Sequence, residues 1–312
     1  MNEHKINFLD VIGKNTGKTK EDEAIEKAQH PEENITDCPY NVCDGSGMIR
    51  QKNEKGATYV DFCQCYEDTV LRQKLVNANI SLDFLNEDFS FDDGKTKISI
   101  LKPKLVEDEL NIKKKNQTKQ EALIEEDPNL FIKRHFSIKE ETRTPGEIFK
   151  SYSEKNSELM NQNKKPANLL LFGDSGNGKT SFACLIGSFF LQKNKKVYFS
   201  NTEKFLNSIY DKKVDVKEIS AKYDVLILDE FFAEYHTDSK WAKTKLKEIL
   251  KIRDELKLIT ICTSNGNPKE FSLLYGQAIM SLLKGTFFHF YLERDGDGRI
   301  EKMQNTFEEF GF

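Results

Sequence analysis

Apolar runs of strand length recur along the second half of the chain, and each is followed by a segment with helical spacing. The runs are NLLLFG, KVYFSN, DVLILDE and KLITICTSN, at 168–173, 196–201, 224–230 and 257–265. The segments after them carry apolar residues at intervals of three and four, the period of an amphipathic helix. A last run, TFFHFYL, follows at 286–292. Strands that alternate with helices predict an α/β fold with a central parallel sheet covered on both faces.

The first half of the chain has a weaker pattern. EDTVLRQKLVNANI has helical spacing at 67–80, and TPGEIFKSYSEKN predicts a helix that begins at Pro145. INFLDVI at 6–12 fits either a short partner-docking helix or a frayed end. Between 91 and 145, charge runs such as Lys113–Lys115 surround isolated apolar residues, which favours a solvated linker or insertion over a nucleic-acid or partner contact. The pattern predicts three parts: an N-terminal region at 1–90, a charged linker or insertion at 91–145, and an α/β domain at 146–312.

Two segments end in Gly-Lys-Thr, and their spacing separates them. GDSGNGKT, from Gly173 to Thr180, has four residues between Gly173 and Gly178, as a P-loop requires, whereas GKNTGKT at 13–19 has only three between Gly13 and Gly17. An apolar run precedes GDSGNGKT, and an apolar segment of helical length follows it. The segment after GKNTGKT, TKEDEAIEKAQ, is almost wholly polar. In a P-loop the backbone N–H groups surround a phosphate. The predicted ATP-binding residues are Gly173, Asp174, Ser175, Gly176, Asn177, Gly178, Lys179, Thr180 and Ser181.

Acidic and amide side chains follow two further strands. Asp229 and Glu230 end DVLILDE, which we expect to lie beside the P-loop strand, with its carboxyl end at the ligand side of the sheet. Asp229 and Thr180 are placed to hold Mg²⁺, and Glu230 to polarise the attacking water. Asn265 follows the next strand and is a candidate for contacting that water or the γ-phosphate, the alternative being a turn before Pro268. The predicted catalytic residues are therefore Lys179, Asp229, Glu230 and Asn265.

Length and composition are typical of a soluble protein of about two domains. The chain has 312 residues and a formal net charge of -4, so any nucleic-acid contact must come from a local basic patch. The N-terminus lacks the apolar region of a signal peptide, and no apolar run approaches the ~18 residues of a membrane helix. We expect a cytoplasmic protein with no membrane contact.

Four of the six cysteines are clustered. They read CPYNVC and CQC, with nineteen residues between Cys43 and Cys63. Four thiolates suit a closed tetrahedral Zn²⁺ site, and a segment this short cannot fold on an apolar core alone. Reduced structural cysteines and an iron–sulfur cluster are the alternatives. Cys184 and Cys262 lie in apolar stretches and predict core thiols. The predicted zinc ligands in the module at 38–66 are Cys38, Cys43, Cys63 and Cys65.

Together these motifs resemble a known group of ATPases. A cysteine module followed by NANISLDFLNEDFSF, LLLFGDSGNGKTSFACLIGSFF, VLILDE and TICTSN is similar to the bacterial and phage replicative helicase loaders of the DnaC/DnaI type. These are AAA+ ATPases, and their core is close to the IstB-type ATPases that assist transposases. The resemblance implies an ATP- and Mg²⁺-dependent protein in which Asn265 is a sensor residue. It also implies that the N-terminal module grips a hexameric replicative helicase, that single-stranded DNA is bound, and that the chain can self-associate.

One feature departs from that group. Ala278 and Leu282 stand where the group usually has two arginines, one of which reaches a neighbour's γ-phosphate. Such an arginine finger is worth ~10³ or more in rate. Lys284 lacks the fork geometry to replace it, and Arg299 is either a sensor arginine within the chain or a surface charge. We therefore expect tight ATP binding with slow hydrolysis. A helicase loader is the leading hypothesis; a transposition helper and a non-hydrolysing adaptor or inhibitor of a helicase are the alternatives.

Overall fold

The chain forms two compact units, Met1–Asn86 and Glu87–Phe312. The computed structural model describes residues 38–52, 56, 58–85, 89–90, 94–104, 136–212, 215–231, 240–265 and 279–309. The GKNTGKT and INFLDVI segments and the basic run Lys113–Lys115 lie outside the described residues. No helix in the described parts of the chain has the length and apolar character needed to cross a membrane.

The first unit is built around its cysteines. Strands β1 (Met48–Lys52) and β2 (Thr58–Phe62) form an antiparallel hairpin, and helix α1 (Gln64–Asn77) follows at once. Cys38, Cys63 and Cys65 are buried together, with Cys43 and Ile49 packed against them. Thiols rather than large apolar side chains therefore fill the space at the end of this hairpin. A one-turn 3₁₀ helix, Leu82–Phe84, comes after α1.

The second unit contains the predicted parallel sheet. All five predicted strands are present, and the three central ones, β5, β8 and β7, are buried almost throughout, as expected for a sheet covered on both faces. This confirms the α/β fold class. The strands are β5 (Asn168–Phe172), β6 (Val197–Asn201), β7 (Val225–Asp229), β8 (Ile259–Ser264) and β9 (Phe287–Arg294).

The order of the strands differs from the expectation in one respect. The parallel part of the sheet runs β9-β5-β8-β7-β6, so β8 lies between the P-loop strand β5 and the Asp229 strand β7. The prediction that β7 lies directly beside β5 was wrong. All of these strands are equally apolar, so their hydrophobicity does not encode which pairs are neighbours.

Two strands lie where the sequence predicted no element. Strand β3 (Thr96–Pro103) pairs antiparallel with β9, and β4 (Phe136–Glu140) pairs antiparallel with β3, which extends the sheet to seven strands. Ile98 and Leu101 of β3 are buried, but lysines alternate with them in the sequence. The short apolar pattern was therefore hidden within a charged segment.

The helices agree with most of the predictions. Helix α2 begins at Pro145 as predicted, and Thr144 and Glu147 form a capping box at its start. A helix was predicted after KLITICTSN, and the part of that segment that is described contains α7 (279–286). Helices α5 and α8 were not predicted. The bounds are α2 Pro145–Asn161, α3 Lys179–Gln192, α4 Thr202–Lys212, α5 Val216–Ala221, α6 Lys240–Glu255 and α8 Gly298–Glu309.

Candidate functional site

The P-loop joins the end of β5 to the start of α3 and packs against the last part of β9 and the residues that follow it. Gly173 and Gly176 have φ angles of 145° and 85°. A Cβ atom on Gly173 would overlap the Leu292 carbonyl oxygen, and one on Gly176 would overlap the Asp297 carboxylate. The Asn177 side chain also donates to the Leu292 carbonyl, at 2.9 Å. Glycine is thus required at Gly173 by the close approach of a backbone carbonyl as well as by the backbone conformation, and at Gly176 by its positive φ angle, since the Asp297 carboxylate could move aside.

Lys179 is held inside the loop. Lys179 is buried, with a relative exposure of only 5%. The Nζ atom donates to the carbonyls of Gly173 and Asp174, at 2.9 and 2.6 Å. Desolvation lowers the pKa of Lys179 to about 8. The ammonium group lies on the concave side of the loop, at the N-terminal end of α3. The positive charge and the free N–H groups of the helix end are suited to bind an anion.

This pKa predicts how nucleotide affinity depends on pH. A bound polyphosphate raises the pKa of Lys179 above its ligand-free value of about 8, so binding takes up a proton above that pH. The Kd for ATP should change little from pH 7 to 7.5 and then rise, approaching tenfold per unit by pH 9.5. Calorimetric titrations in buffers of different ionisation enthalpy measure both the Kd and the proton uptake. A Kd that stays constant to pH 9.5 would contradict the role of Lys179.

Asp229 is linked to the P-loop through hydroxyl groups. Thr180 at the start of α3 donates to Asp229 Oδ1 at 2.9 Å, and the Thr263 hydroxyl donates to the same oxygen. Because Thr263 belongs to β8, the strand that separates β5 from β7, it supports Asp229 from the intervening strand. The sequence analysis did not select Thr263. The strand carries three buried hydroxyl groups, at Thr260, Thr263 and Ser264, and the sequence alone does not show which of them meets Asp229.

Glu230 projects from a left-handed backbone position directly after β7. Its φ angle is 51°, and its N–H donates to Thr263 Oγ1 at 3.2 Å. The exposed carboxylate accepts a hydrogen bond from Asn201 Nδ2 at 2.5 Å. Asn201 ends β6, and its Oδ1 accepts from the backbone N–H of Glu203 and of Lys204 at the start of α4. Asn201, which sequence reasoning missed, thus fixes where the Glu230 carboxylate lies.

Arg299 lies beside the P-loop. It is the second residue of α8, and its Nη1 donates to Ser175 Oγ at 3.0 Å. Its positive charge contributes to lowering the pKa of Lys179. Arg294 at the end of β9 instead pairs with Glu301 at 2.6 Å. The Arg299 side chain is exposed, so it is a surface charge that lies beside the phosphate-binding loop, and its role as a sensor arginine stays a prediction.

The remaining predicted positions surround this site less closely. Asn265 is exposed at the end of β8, and Ser181 is exposed in the first turn of α3. Ala278 lies outside the described residues, and Leu282 is half-buried in α7. Lys284 lies over the Phe136 ring, with Nζ 5.6 Å from its centroid, at the opposite end of β9 from the P-loop. Lys284 is therefore too far from the P-loop of its own chain to act there in place of an arginine.

The four clustered cysteines of the first unit come together. Their sulfur atoms lie within 4.8 Å of one another, with Cys38 and Cys63 3.6 Å apart and Cys43 and Cys65 3.5 Å apart. A tetrahedral Zn²⁺ site with ~2.3 Å Zn–S bonds requires S···S distances of ~3.8 Å. Hydrogen bonds from the backbone of Val42 and Cys43 lower the pKa of Cys38 to about 6. The cluster can hold a metal ion, and its geometry fits zinc.

Part of the second unit matches a known family. Residues 156–283, which include the P-loop, Asp229 and Glu230, match the sequence profile of the family described as IstB-like ATP binding protein. An insertion sequence ATP-binding protein of Sinorhizobium fredii (strain NBRC 101917 / NGR234) is 30% identical over 123 residues, or 38% of this chain. The chain spans 40% of that relative's length. This part of the chain is therefore similar in sequence to an IstB-like ATP-binding domain.

Solved structures resemble the chain more distantly. The DnaC helicase loader is 20% identical with a TM-score of 0.40, over 47% of this chain and 88% of that one. DnaI is 18% identical with a TM-score of 0.41, over 50% and 86% of the two chains. AMPPCP-bound DnaA from Aquifex aeolicus is 19% identical with a TM-score of 0.41, over 54% and 51%. Similarities this low do not bear on the function of the chain.

Proposed function

We propose that the second unit binds ATP with Mg²⁺ and hydrolyses it slowly, and that this cycle drives the loading of a replicative helicase. The observation that carries the catalytic part is the convergence of four side chains at one end of the sheet. Lys179 and Thr180 come from the P-loop helix, and Asp229 and Glu230 from the end of β7. This is the set that nucleotide hydrolysis requires.

The chain's own groups have separable tasks. The ammonium group of Lys179 would leave the carbonyls of Gly173 and Asp174 and donate to the outer phosphates of ATP, while the backbone N–H groups of the loop surround those phosphates. Thr180 and Asp229 share the position where Mg²⁺, when bound, neutralises developing phosphate charge. Glu230 accepts a proton from the attacking water once its carboxylate leaves Asn201. Arg299 adds positive charge at the loop from the same chain.

The first unit carries the surface that supports a protein partner. Phe62 and Tyr66 are both exposed and stack with their ring centroids 4.6 Å apart. Aromatic and methionine side chains exposed together are typical of protein interaction surfaces. By its resemblance to the DnaC/DnaI group, this surface would grip a hexameric helicase, with single-stranded DNA as the second partner. Met48 and Val60 lie on the same face of the hairpin as Phe62 and are exposed too, whereas the exposed Tyr59 lies on the opposite face.

A transposition helper is the second candidate. The match of residues 156–283 to IstB-like proteins favours it. The cysteine module of the first unit favours the helicase loader. A third possibility, an adaptor that binds ATP without turning it over, follows from the missing arginine pair at Ala278 and Leu282.

Partner capture tests the proposal. Full-length Glu230→Gln protein, used as bait in ATP and in ADP, should retain a hexameric replicative helicase from native extract in the ATP sample. Phe62→Ala should lower the helicase recovered by at least tenfold, because a central aromatic anchor is typically worth 2 kcal/mol or more at an interface. Phe288→Ala, which changes an exposed phenylalanine of the other unit, is the matched control. Recovery of a transposase would favour the transposition helper. Equal recovery of partners in ATP and in ADP would favour the adaptor.

Zinc in the cysteine module gives a separate prediction. Purified protein should contain about one zinc per chain, because four sulfur atoms lie at tetrahedral spacing. Cys65→Ser should lose that zinc and unfold the first unit, since the buried cluster there consists of its ligands. Elemental analysis and circular dichroism measure the two effects. Cys184→Ser, a buried thiol of the second unit, should keep its zinc, and equal loss in both variants would contradict the assignment.

A further inference from the structure

A histidine is buried in the sheet without a hydrogen-bonding partner. His289 lies near the middle of β9, and its side chain is 1% exposed. Neither Nδ1 nor Nε2 makes a hydrogen bond within the part of the chain that the structure describes. A buried polar group without a partner lowers stability, and most such groups in folded proteins are paired. The neighbours along the strand, Phe287, Phe288 and Phe290, are apolar, so a histidine here has a cost that a leucine would not have.

The side chains around the His289 ring are apolar. Leu101 of β3 and Leu170 of β5 lie opposite His289 in the strand register, and residues in such pairs share one face of the sheet. Both leucines are buried. Phe136 of β4 lies 5.4 Å from the imidazole, measured between ring centroids. The charged residues of β3 and β4 on this face are exposed to solvent; they are Lys97 and Glu140. The described residues of these strands therefore offer the imidazole no buried carboxylate.

The charge that acts on His289 from the described residues is positive. Lys284 of α7 lies over the same Phe136 ring, with Nζ 5.6 Å from its centroid. Burial first and then the charge of Lys284 lower the pKa of His289 to about 4, and the Phe287 backbone opposes them. A proton on this imidazole would be repelled by the lysine and removed from solvent. The packing at this position is therefore stable only while the imidazole is neutral.

Strand β9 also supports the nucleotide-binding loop. Leu292 comes three residues after His289 on this strand. Its carbonyl accepts a hydrogen bond from the Asn177 side chain and leaves no space for a Cβ atom at Gly173. Leu170, opposite His289, belongs to β5, the strand that leads directly into the loop. A change in the packing at His289 therefore reaches the P-loop along two neighbouring strands.

We propose that His289 is an acid-operated latch of the second unit, which holds β4 and α7 on β9 while it is neutral and, when protonated, releases them and the P-loop. The unfolded chain takes up this proton near the ordinary histidine pKa of 6.5, and the folded chain only near a pKa of about 4. Between these values the unfolded state binds more protons. The stability of the unit is therefore fully present above pH 6.5 and is lost as the pH falls toward 4. This latch goes beyond the proposed function and does not rest on it.

Unfolding by urea at two pH values tests the latch. Full-length protein is unfolded at pH 7.5 and at pH 5.0 and followed by the fluorescence of Trp241, which lies in this unit. Between these pH values the unfolding equilibrium constant of wild type should rise about 30-fold more than that of His289→Leu, as pKa values of 6.5 and about 4 require. Each chain is compared with itself, so the cost of packing a leucine cancels. Phe287→Leu, a buried position on the same strand and face, is the matched control and should keep the wild-type pH dependence.

Nuclear magnetic resonance measures the proton on the ring itself. The histidine signal that is missing from His289→Leu should be that of a neutral imidazole at pH 5.5, where an ordinary histidine is about 90% protonated. A protonated ring in the folded chain at this pH would overturn the proposal, and so would an equal pH dependence of wild type and His289→Leu. His289→Gln, a second side chain that does not titrate, takes the place of the leucine variant if that variant does not fold, and it should lose the same pH dependence. Neither measurement involves ATP or a helicase, so the latch and the proposed function can fail separately.

Discussion

Glu230→Gln should reduce the turnover number for ATP by about 10²- to 10⁴-fold, the usual contribution of a general base. The structure explains why this carboxylate, and not Asp229, has that task. Both Asp229 contacts go to hydroxyl groups at one oxygen, Thr180 and Thr263, which hold it in the wall of the site. Glu230 is exposed and accepts from Asn201 alone among the described hydrogen-bond donors to its side chain. A glutamine at position 230 has the same size as glutamate, and its amide oxygen can still accept a hydrogen bond from Asn201, but its side chain cannot take up a proton.

Binding should be retained in this variant. Glu230 lies outside the P-loop, so the Kd for ATP should stay within about threefold of wild type, and a single-turnover assay should show bound, uncleaved ATP. Glu203→Gln, an exposed carboxylate at the start of α4, is the matched control and should keep full turnover. Asn201→Ala tests the same arrangement from the other side, because it frees the Glu230 carboxylate. Normal turnover in Glu230→Gln would remove Glu230 from the mechanism.

The pattern of the sequence predicted the parts of this site that have strict spacing. The P-loop needs four residues between two glycines, and an acidic pair after a buried strand is visible without a structure. Asn201 and Thr263 were missed because their roles depend on which strands are neighbours. Each is an ordinary polar residue near the end of a strand, and only the placement of β8 between β5 and β7 brings Thr263 onto Asp229.

The same limit applies to the fold. Five parallel strands were predicted because each is a long apolar run, whereas β3 was missed because only Ile98 and Leu101 are deeply buried among lysines. Helix α8 was missed for a different reason. The segment before it reads DGDG, which predicts a loop, yet Arg299 N–H bonds Asp297 Oδ1 and the chain turns into a helix at once. Asp297 acts there as the cap, which a glycine-rich sequence conceals.

Arg253 has a structural role that the sequence analysis did not predict. It is fully buried in α6, and its five N–H groups point at neutral acceptors. Nε donates to Thr260 Oγ1 at 3.0 Å, and the terminal nitrogens donate to backbone carbonyls. Burial lowers the pKa of the guanidinium, and Asp224 opposes this. The carbonyls belong to Ser220, Tyr223, Asp224 and Ile259, so one side chain joins α6 to the loops that enter β7 and β8.

Arg253→Met should therefore be the most destabilising single change in the second unit. Methionine fills a similar length but donates nothing, which leaves buried carbonyls without their partner at a cost of about 3–5 kcal/mol. For a unit of this size that lowers Tm by roughly 6–20 °C. Trp241 is the only tryptophan of the chain and lies edge-on to Tyr210, at 5.2 Å between ring centroids, so its fluorescence reports unfolding of this unit. Lys251→Met, an exposed position on the same helix, should stay within ~0.5 kcal/mol of wild type. Equal stability of the two variants would mean that the five acceptors are satisfied without Arg253.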